Sequence, residues 1–131
     1  MIVFLYPGKN LQKWAKRDLD ILRKHHEVTL LNGQSTWQYY ACIFGAVKKC
    51  DIVFIWFFDF RALVATVIAK MLGKKSYAVV GGYDVENAPE IKYGEMRSSF
   101  KRMVIGWGLS LVTMVLPFSN YAGELVKKIT E

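Results

Sequence analysis

Six apolar residues in unbroken succession, Ile52-Val53-Phe54-Ile55-Trp56-Phe57, follow Asp51 and limit what this chain can fold into. A strand with one wet face alternates apolar and polar residues. A strand that is apolar at every position is covered on both faces and sits inside a sheet. Two further runs share this character. Ile2 to Tyr6 is β-branched and aromatic and stops at Pro7-Gly8, and Ser76 to Val80 breaks at Gly81-Gly82. Val28 to Leu31, ended by Asn32-Gly33, and Leu111 to Leu116 are strand-like as well.

Helical spacing fills the intervals. From Leu11 to about Lys24, the residues Leu11, Trp14, Ala15, Leu19 and Leu22 fall on one face, with Lys13, Lys16, Arg17 and Arg23 on the others and Asn10 placed to cap the start. A weaker helix is expected over Tyr39 to Lys49. Arg61 to Leu72 is apolar nearly all round, and Gly73 ends it. Further helices are expected from about Lys92 to Leu109 and, capped by Ser119, from Asn120 to Ile129. Strand and helix in strict alternation imply parallel pairing and right-handed crossovers. The expected fold is therefore α/β: a single Rossmann-like, doubly wound domain of about five mainly parallel strands with helices on both faces.

The 131 residues suit one domain, and 53% hydrophobic content with 15% aromatic excludes disorder. Cys42 and Cys50 are not spaced as a metal pair, and the adjacent His25 and His26 cannot face one site from a regular element. They read as two buried free thiols in a reducing compartment, with neither metal nor cofactor expected. The N-terminus lacks a basic region and a small-residue cleavage site, so it reads as a strand rather than a leader. Met103 to Phe118 is interrupted by Gly106, Gly108, Ser110, Thr113 and Pro117 and falls short of the roughly 20 residues of a membrane span. A cytoplasmic domain is expected. Eighteen basic against eleven acidic residues give a net charge of +7, which favours anionic partners. Nucleic acid is not expected among them, because no RNP, zinc-finger or helix-turn-helix pattern is present.

In an open parallel sheet, ligands bind beyond the carboxyl ends of the strands. Four segments fall there: Pro7-Gly8-Lys9-Asn10, Phe58-Asp59-Phe60-Arg61, Gly81-Gly82-Tyr83-Asp84 and Phe118-Ser119-Asn120. The first offers close backbone approach at Gly8, free amides and the Lys9 cation, a cradle for phosphate or a plain turn. The second places Asp59 at the crevice, where it either meets a ligand or pairs with Arg61. The paired glycines Gly81 and Gly82 let backbone run beside a ligand, and Asp84 then either accepts hydroxyl hydrogen bonds or caps a turn. Ser119 is first an N-cap, behind which the amides near Asn120 could receive an anion. From Lys92 to Arg102, the cations Lys92, Arg97, Lys101 and Arg102 face the single acid Glu95 and lead into apolar residues, the pattern of a membrane-surface contact or of a solvated helix face.

The strand ending Val79-Val80-Gly81-Gly82-Tyr83-Asp84-Val85, the Tyr93-Gly94 pair and Leu116-Pro117-Phe118-Ser119-Asn120-Tyr121 opening a helix resemble the N-terminal domain of family 4 glycosyltransferases over nearly the whole chain. The resemblance implies the GT-B architecture, in which this domain shapes the acceptor site and a C-terminal domain holds most of the nucleotide-sugar donor. It implies metal-independent, retaining transfer of a sugar to a sugar or lipid-linked acceptor. Gly8 and Lys9 match the loop after the first strand. Gly82 and Asp84 match the H-G-x-D-like loop, with Asp84 as the catalytic candidate and Tyr83 between them as a substrate-binding candidate. Gly81 stands where many members carry His, and the first loop has one glycine rather than a pair. The donor half is expected to lie outside these residues, leaving the domain inactive alone, open to a partner chain or self-association, and peripheral to the inner face of an anionic membrane. The rival readings are a flavodoxin-like or receiver-type module, for which Asp59 is the sole strand-end acid after the first and third strands, and a structural module that recruits a catalytic half.

Overall fold

The structure, a computed structural model, describes residues 1–32, 36–80, 99–117, 124, 126 and 127. Its elements in chain order are β1 (Ile2–Tyr6), α1 (Lys13–Arg23), β2 (Val28–Asn32), α2 (Thr36–Lys49), β3 (Ile52–Trp56), α3 (Phe60–Met71), β4 (Lys75–Val80), α4 (Ser99–Leu111) and β5 (Met114–Pro117). The strands form one five-stranded sheet in the order β2-β1-β3-β4-β5, parallel throughout. The unbroken apolar run supplies β3, the middle strand. The chain is a Rossmann-like, doubly wound α/β domain.

Strand order dictates where each helix goes. Only the β1-to-β2 crossover runs one way along the sheet; the other three run the opposite way. With right-handed connections, the two directions lie on opposite faces. The buried residues divide accordingly. Val3, Leu5, Val53, Ile55, Ala78 and Val80 pack with Ile43 and Val47 of α2, Leu63 and Ala65 of α3, and Ile105 and Leu109 of α4. On the other face Phe4, Tyr6, Trp56 and Val79 pack with Ala15 and Leu19 of α1. The Trp56 indole N–H donates to Asp18 Oδ2 at 2.8 Å and ties β3 to α1.

Several expected details change. The expected Asn10 cap is not used: α1 starts after Gln12, which stays extended and makes no side-chain cap. The Gln12 amide donates instead to the Tyr6 hydroxyl at 3.1 Å, delaying the first helical turn. Trp14 does not join the core and is largely exposed. Cys50 is buried, but Cys42 lies on the outer side of α2 and is exposed, so only one of the two expected buried thiols is buried. α4 is described from Ser99, and the expected turns from Lys92 to Ser98 lie outside the described residues. Of the expected last helix, Glu124, Val126 and Lys127 are helical, and the rest lies outside the described residues. No helix among the described residues is long and apolar enough to cross a membrane.

The C-terminus of α3 follows its sequence closely. Gly73 adopts φ 70°, its amide donates to Lys70 O at 3.3 Å, and the Lys74 amide donates to Ala69 O at 2.8 Å. These two bonds satisfy carbonyls that the helix end would otherwise orphan. Ser76 and Thr66, both buried, are likewise bonded: Thr66 Oγ1 donates to Ala62 O at 2.8 Å, and the Ser76 amide donates to Thr113 Oγ1 at 3.1 Å.

Two helical glycines make opposite predictions. A methyl group on Gly108 would lie 2.3 Å from Phe58 Cε1, so α4 packs on the buried Phe58 ring only because Gly108 has no side chain. Overpacking of this kind costs about 1–3 kcal/mol, more than the roughly 1 kcal/mol alanine gains in helix propensity. Gly108→Ala is therefore expected to lower the urea midpoint. Gly45 in α2 has open space around it, and Gly45→Ala is expected to raise stability by about 0.5–1 kcal/mol. The thiols give a second check. Burial pushes the Cys50 thiol pKa up, whereas Cys42 is exposed. At pH 8, mass spectrometry after iodoacetamide treatment should show Cys42 alkylated first and Cys50 protected until unfolding.

Candidate functional site

Strand order reverses between β1 and β3, and the loops that leave these two strands diverge there. This is where an open α/β sheet presents its crevice. Residues 7 to 12 form one wall and residues 57 to 59 the other.

The first wall is pinned on three sides. The Tyr6 hydroxyl accepts from the Gln12 amide, Asn32 Nδ2 donates to Lys9 O at 2.7 Å, and Arg61 Nη2 donates to Pro7 O at 3.3 Å. Gly8 runs against Tyr6: an added Cβ would sit 3.3 Å from Tyr6 Cε1. Lys9 and Asn10 project from this held loop and are exposed.

The second wall begins at Phe57, which takes φ 62°, a left-handed conformation rarely adopted by residues with a side chain. The turn breaks strand alternation. Phe57 packs with the α1-side cluster, near Trp56 and Tyr6, while Phe58 enters the core beneath α4. Asp59 follows and caps α3, its Oδ1 accepting from the Ala62 amide at 3.0 Å. Its Oδ2 accepts from Arg61 Nε at 3.1 Å and lies 2.9 Å from Arg61 Nη2. Both carboxylate oxygens are thus engaged within the chain. Of the two readings of Asp59, the pairing with Arg61 is present, and a ligand would meet the carboxylate already paired.

Arg61 is the residue that reading the sequence undervalued. Its guanidinium joins both loops and lies 5.1 Å from the centroid of the Tyr39 ring of α2. Tyr39 is buried, which raises its hydroxyl pKa, and the nearby Asp59 charge adds to the shift while Arg61 opposes it. Tyr39 thus remains a neutral platform under the cation. The available signal was the spacing of Asp59 and Arg61 at the cap and second position of an apolar helix, where a carboxylate that caps also reaches a neighbouring cation.

Of the other candidates, Gly81, Gly82, Tyr83, Asp84, Ser119 and Asn120 lie outside the described residues, as do Lys92 and Arg97. Lys101 is on α4, and Arg102 is exposed on the same helix. The structure therefore brings together Gly8, Lys9, Asn10, Asp59 and Arg61 at the strand-order reversal. A groove of about 720 Å³ opens beside α1, floored by the half-buried Phe54 and Leu116 and by the edges of the buried Trp56 and Val79, with Trp14, Arg17 and Asp18 on its other side. Comparison with known proteins finds no matching family model, no matching curated protein and no matching solved structure. What the fold defines is a class: a Rossmann-like, doubly wound α/β domain whose strand order reverses between β1 and β3.

Substitutions at Asp59 separate its two tasks. Asp59→Ala removes cap and ion pair together and is expected to cost about 0.5–2 kcal/mol in chemical denaturation. Asp59→Asn keeps a good cap and loses the ion pair alone, a loss of no more than about 1 kcal/mol. Equal losses in the two variants would show that the cap contributes nothing.

Proposed function

We propose that this domain is the acceptor-side half of a two-domain glycosyltransferase, acting with a donor-binding half to move a sugar from a nucleotide-sugar to a sugar or lipid-linked acceptor. The reading is supported by the sequence resemblance and, above all, by one structural observation: Arg61 is tied at once to the loops after β1 and β3 and stands with Lys9 beside the reversal point. A cation pre-set by a carboxylate and a carbonyl pays little ordering entropy when an anionic or hydroxyl-rich ligand arrives.

In this proposal Gly8, Lys9 and Asn10 contact the acceptor or the donor's phosphates from the β1 side. Gly81, Gly82, Tyr83, Ser119 and Asn120 complete the crevice, and Asp84 assists the transfer. In this reading Arg61 contacts the ligand's anionic or hydroxyl groups and at the same time keeps the β1 loop in place through Pro7 O. Metal is not needed, since the leaving diphosphate can be met by cations and backbone amides. A lipid-linked acceptor would place the domain at the inner face of an anionic membrane.

The test is a ligand titration of the 131-residue chain followed by amide NMR, with a nucleotide-sugar and with a prenyl-phosphate-linked sugar. The acceptor should shift the amides of Gly8 to Asn10 and of Asp59 to Arg61, and Arg61→Ala should weaken its binding roughly tenfold, as expected for loss of a charged contact. No nucleotide-sugar should be turned over. Turnover by this chain alone, or acceptor shifts confined to other surfaces, would overturn the proposal.

A further inference from the structure

The helices α2, α3 and α4 form one layer, and their sequences contain no aspartate or glutamate. They carry Lys48, Lys49, Arg61, Lys70, Lys101 and Arg102. The outer side of the same layer is apolar. Phe100, Met103 and Trp107 recur at helical spacing on α4 and are all more than half exposed. Trp37 and Phe44 of α2 repeat that spacing, with Trp37 86% exposed. Phe60 of α3 joins the two stripes: its ring lies 6.3 Å from that of Tyr40 and 6.5 Å from that of Phe100. All three helices run the same way, because each links parallel strands. Trp37, Phe60 and Phe100 therefore stand together at the carboxyl edge of the sheet, next to the crevice.

A soluble surface rarely shows so many large apolar side chains in one continuous patch without an interaction to cover them. Charge selects the occupant. A second copy of the chain would set the cations of α2, α3 and α4 against their own counterparts, and the acids described beside them, Asp59 and Glu124, are already paired with Arg61 and Lys127, so the two faces would repel. An anionic lipid surface attracts the cations and accepts Trp, Phe and Met at its headgroup level. We infer that the outer face of the α2–α3–α4 layer docks on an anionic membrane, with Trp37, Phe100, Met103 and Trp107 inserted at the interface. The contact is a folded three-helix face rather than a basic stretch read along the chain. It places the crevice edge against the lipid, which deepens the transferase reading by presenting the site to a lipid-linked headgroup, but it does not depend on sugar transfer.

The experiment is co-sedimentation of the 131-residue chain with vesicles of phosphatidylcholine alone and with added phosphatidylglycerol, at low and high salt. Binding should require the anionic lipid and fall at high salt. Lys48→Glu with Lys49→Glu should weaken it by at least about fivefold per charge. Phe100→Ser with Trp107→Ser should weaken it by roughly tenfold or more. Tryptophan emission should shift to the blue on binding. All four replaced side chains are outward-facing, so unchanged circular dichroism is expected and checks the fold. Unaltered vesicle binding in both double variants would overturn the inference. So would binding to single-stranded RNA with none to vesicles, or a dimer in sedimentation equilibrium that the serine variants dissolve. Failed vesicle binding with intact acceptor shifts leaves the transferase proposal standing; the reverse result leaves the docking face standing.

Discussion

Parallel pairing of β1 with both β2 and β3 is the constraint on which the rest of this molecule depends. A parallel pair cannot be closed by a tight turn, so the chain must cross over a sheet face between strands. Because such crossovers keep one hand, their direction along the sheet determines their face. One crossover runs toward β2 and three run away from it. Among the described residues, that asymmetry puts α1 alone on its side, leaves an apolar groove beside it, and gathers α2, α3 and α4 into a continuous layer opposite. It also makes the loops after β1 and β3 diverge, which creates the crevice. Groove, layer and crevice thus share one topological cause.

The turn at Phe57 links the crevice to the core. A non-glycine residue held at positive φ costs about 1–3 kcal/mol. Here it redirects Phe58 into the helix layer, where the ring is buried, and burying a phenylalanine contributes about 1.5–3 kcal/mol. The two magnitudes are comparable, so strain in the β3 loop is offset by packing under α4. The ring needs space, and the absence of a side chain at Gly108 provides it. The glycine that interrupts an apolar stretch in sequence is therefore a packing residue, and it is the near contact at Phe58 that explains it.

How much of this was legible in the sequence varies with the range of the interaction involved. The strands were readable because burial on both faces leaves a local mark, as in Ile52 to Trp56. Gly73 was readable because the left-handed turn ending a helix has a local chemical requirement. Asn10 misled because the Gln12 amide donates to the Tyr6 hydroxyl, across a turn that periodicity does not see, and the helix starts only after Gln12. Trp14 misled for a related reason: helical spacing names a face but not whether another element covers it; Cys42, expected buried from its residue type, lies on a side of α2 that is exposed. Arg61 was undervalued because two of its contacts, to Pro7 and Tyr39, come from distant parts of the chain. For Asp84 and Ser119, which lie outside the described residues, the sequence is what speaks.

Charge placement connects the crevice to the proposed docking face. The total of +7 is unevenly spread: α1 mixes Asp18 and Asp20 with its cations, whereas the layer of α2, α3 and α4 has cations alone. At physiological salt the screening length is about 8 Å, and the sheet that lies between the two helix layers holds them farther apart than that. An anionic surface therefore feels mainly the layer that approaches it, and the cation-rich layer approaches at lower energy than the mixed one. Orientation follows from this difference rather than from total charge. In the proposed docking orientation Arg61, Lys101 and Arg102 sit in the first turns, at the crevice end, while Lys48, Lys49 and Lys70 sit in the last turns, so cations meet the anionic surface along the whole length of the layer.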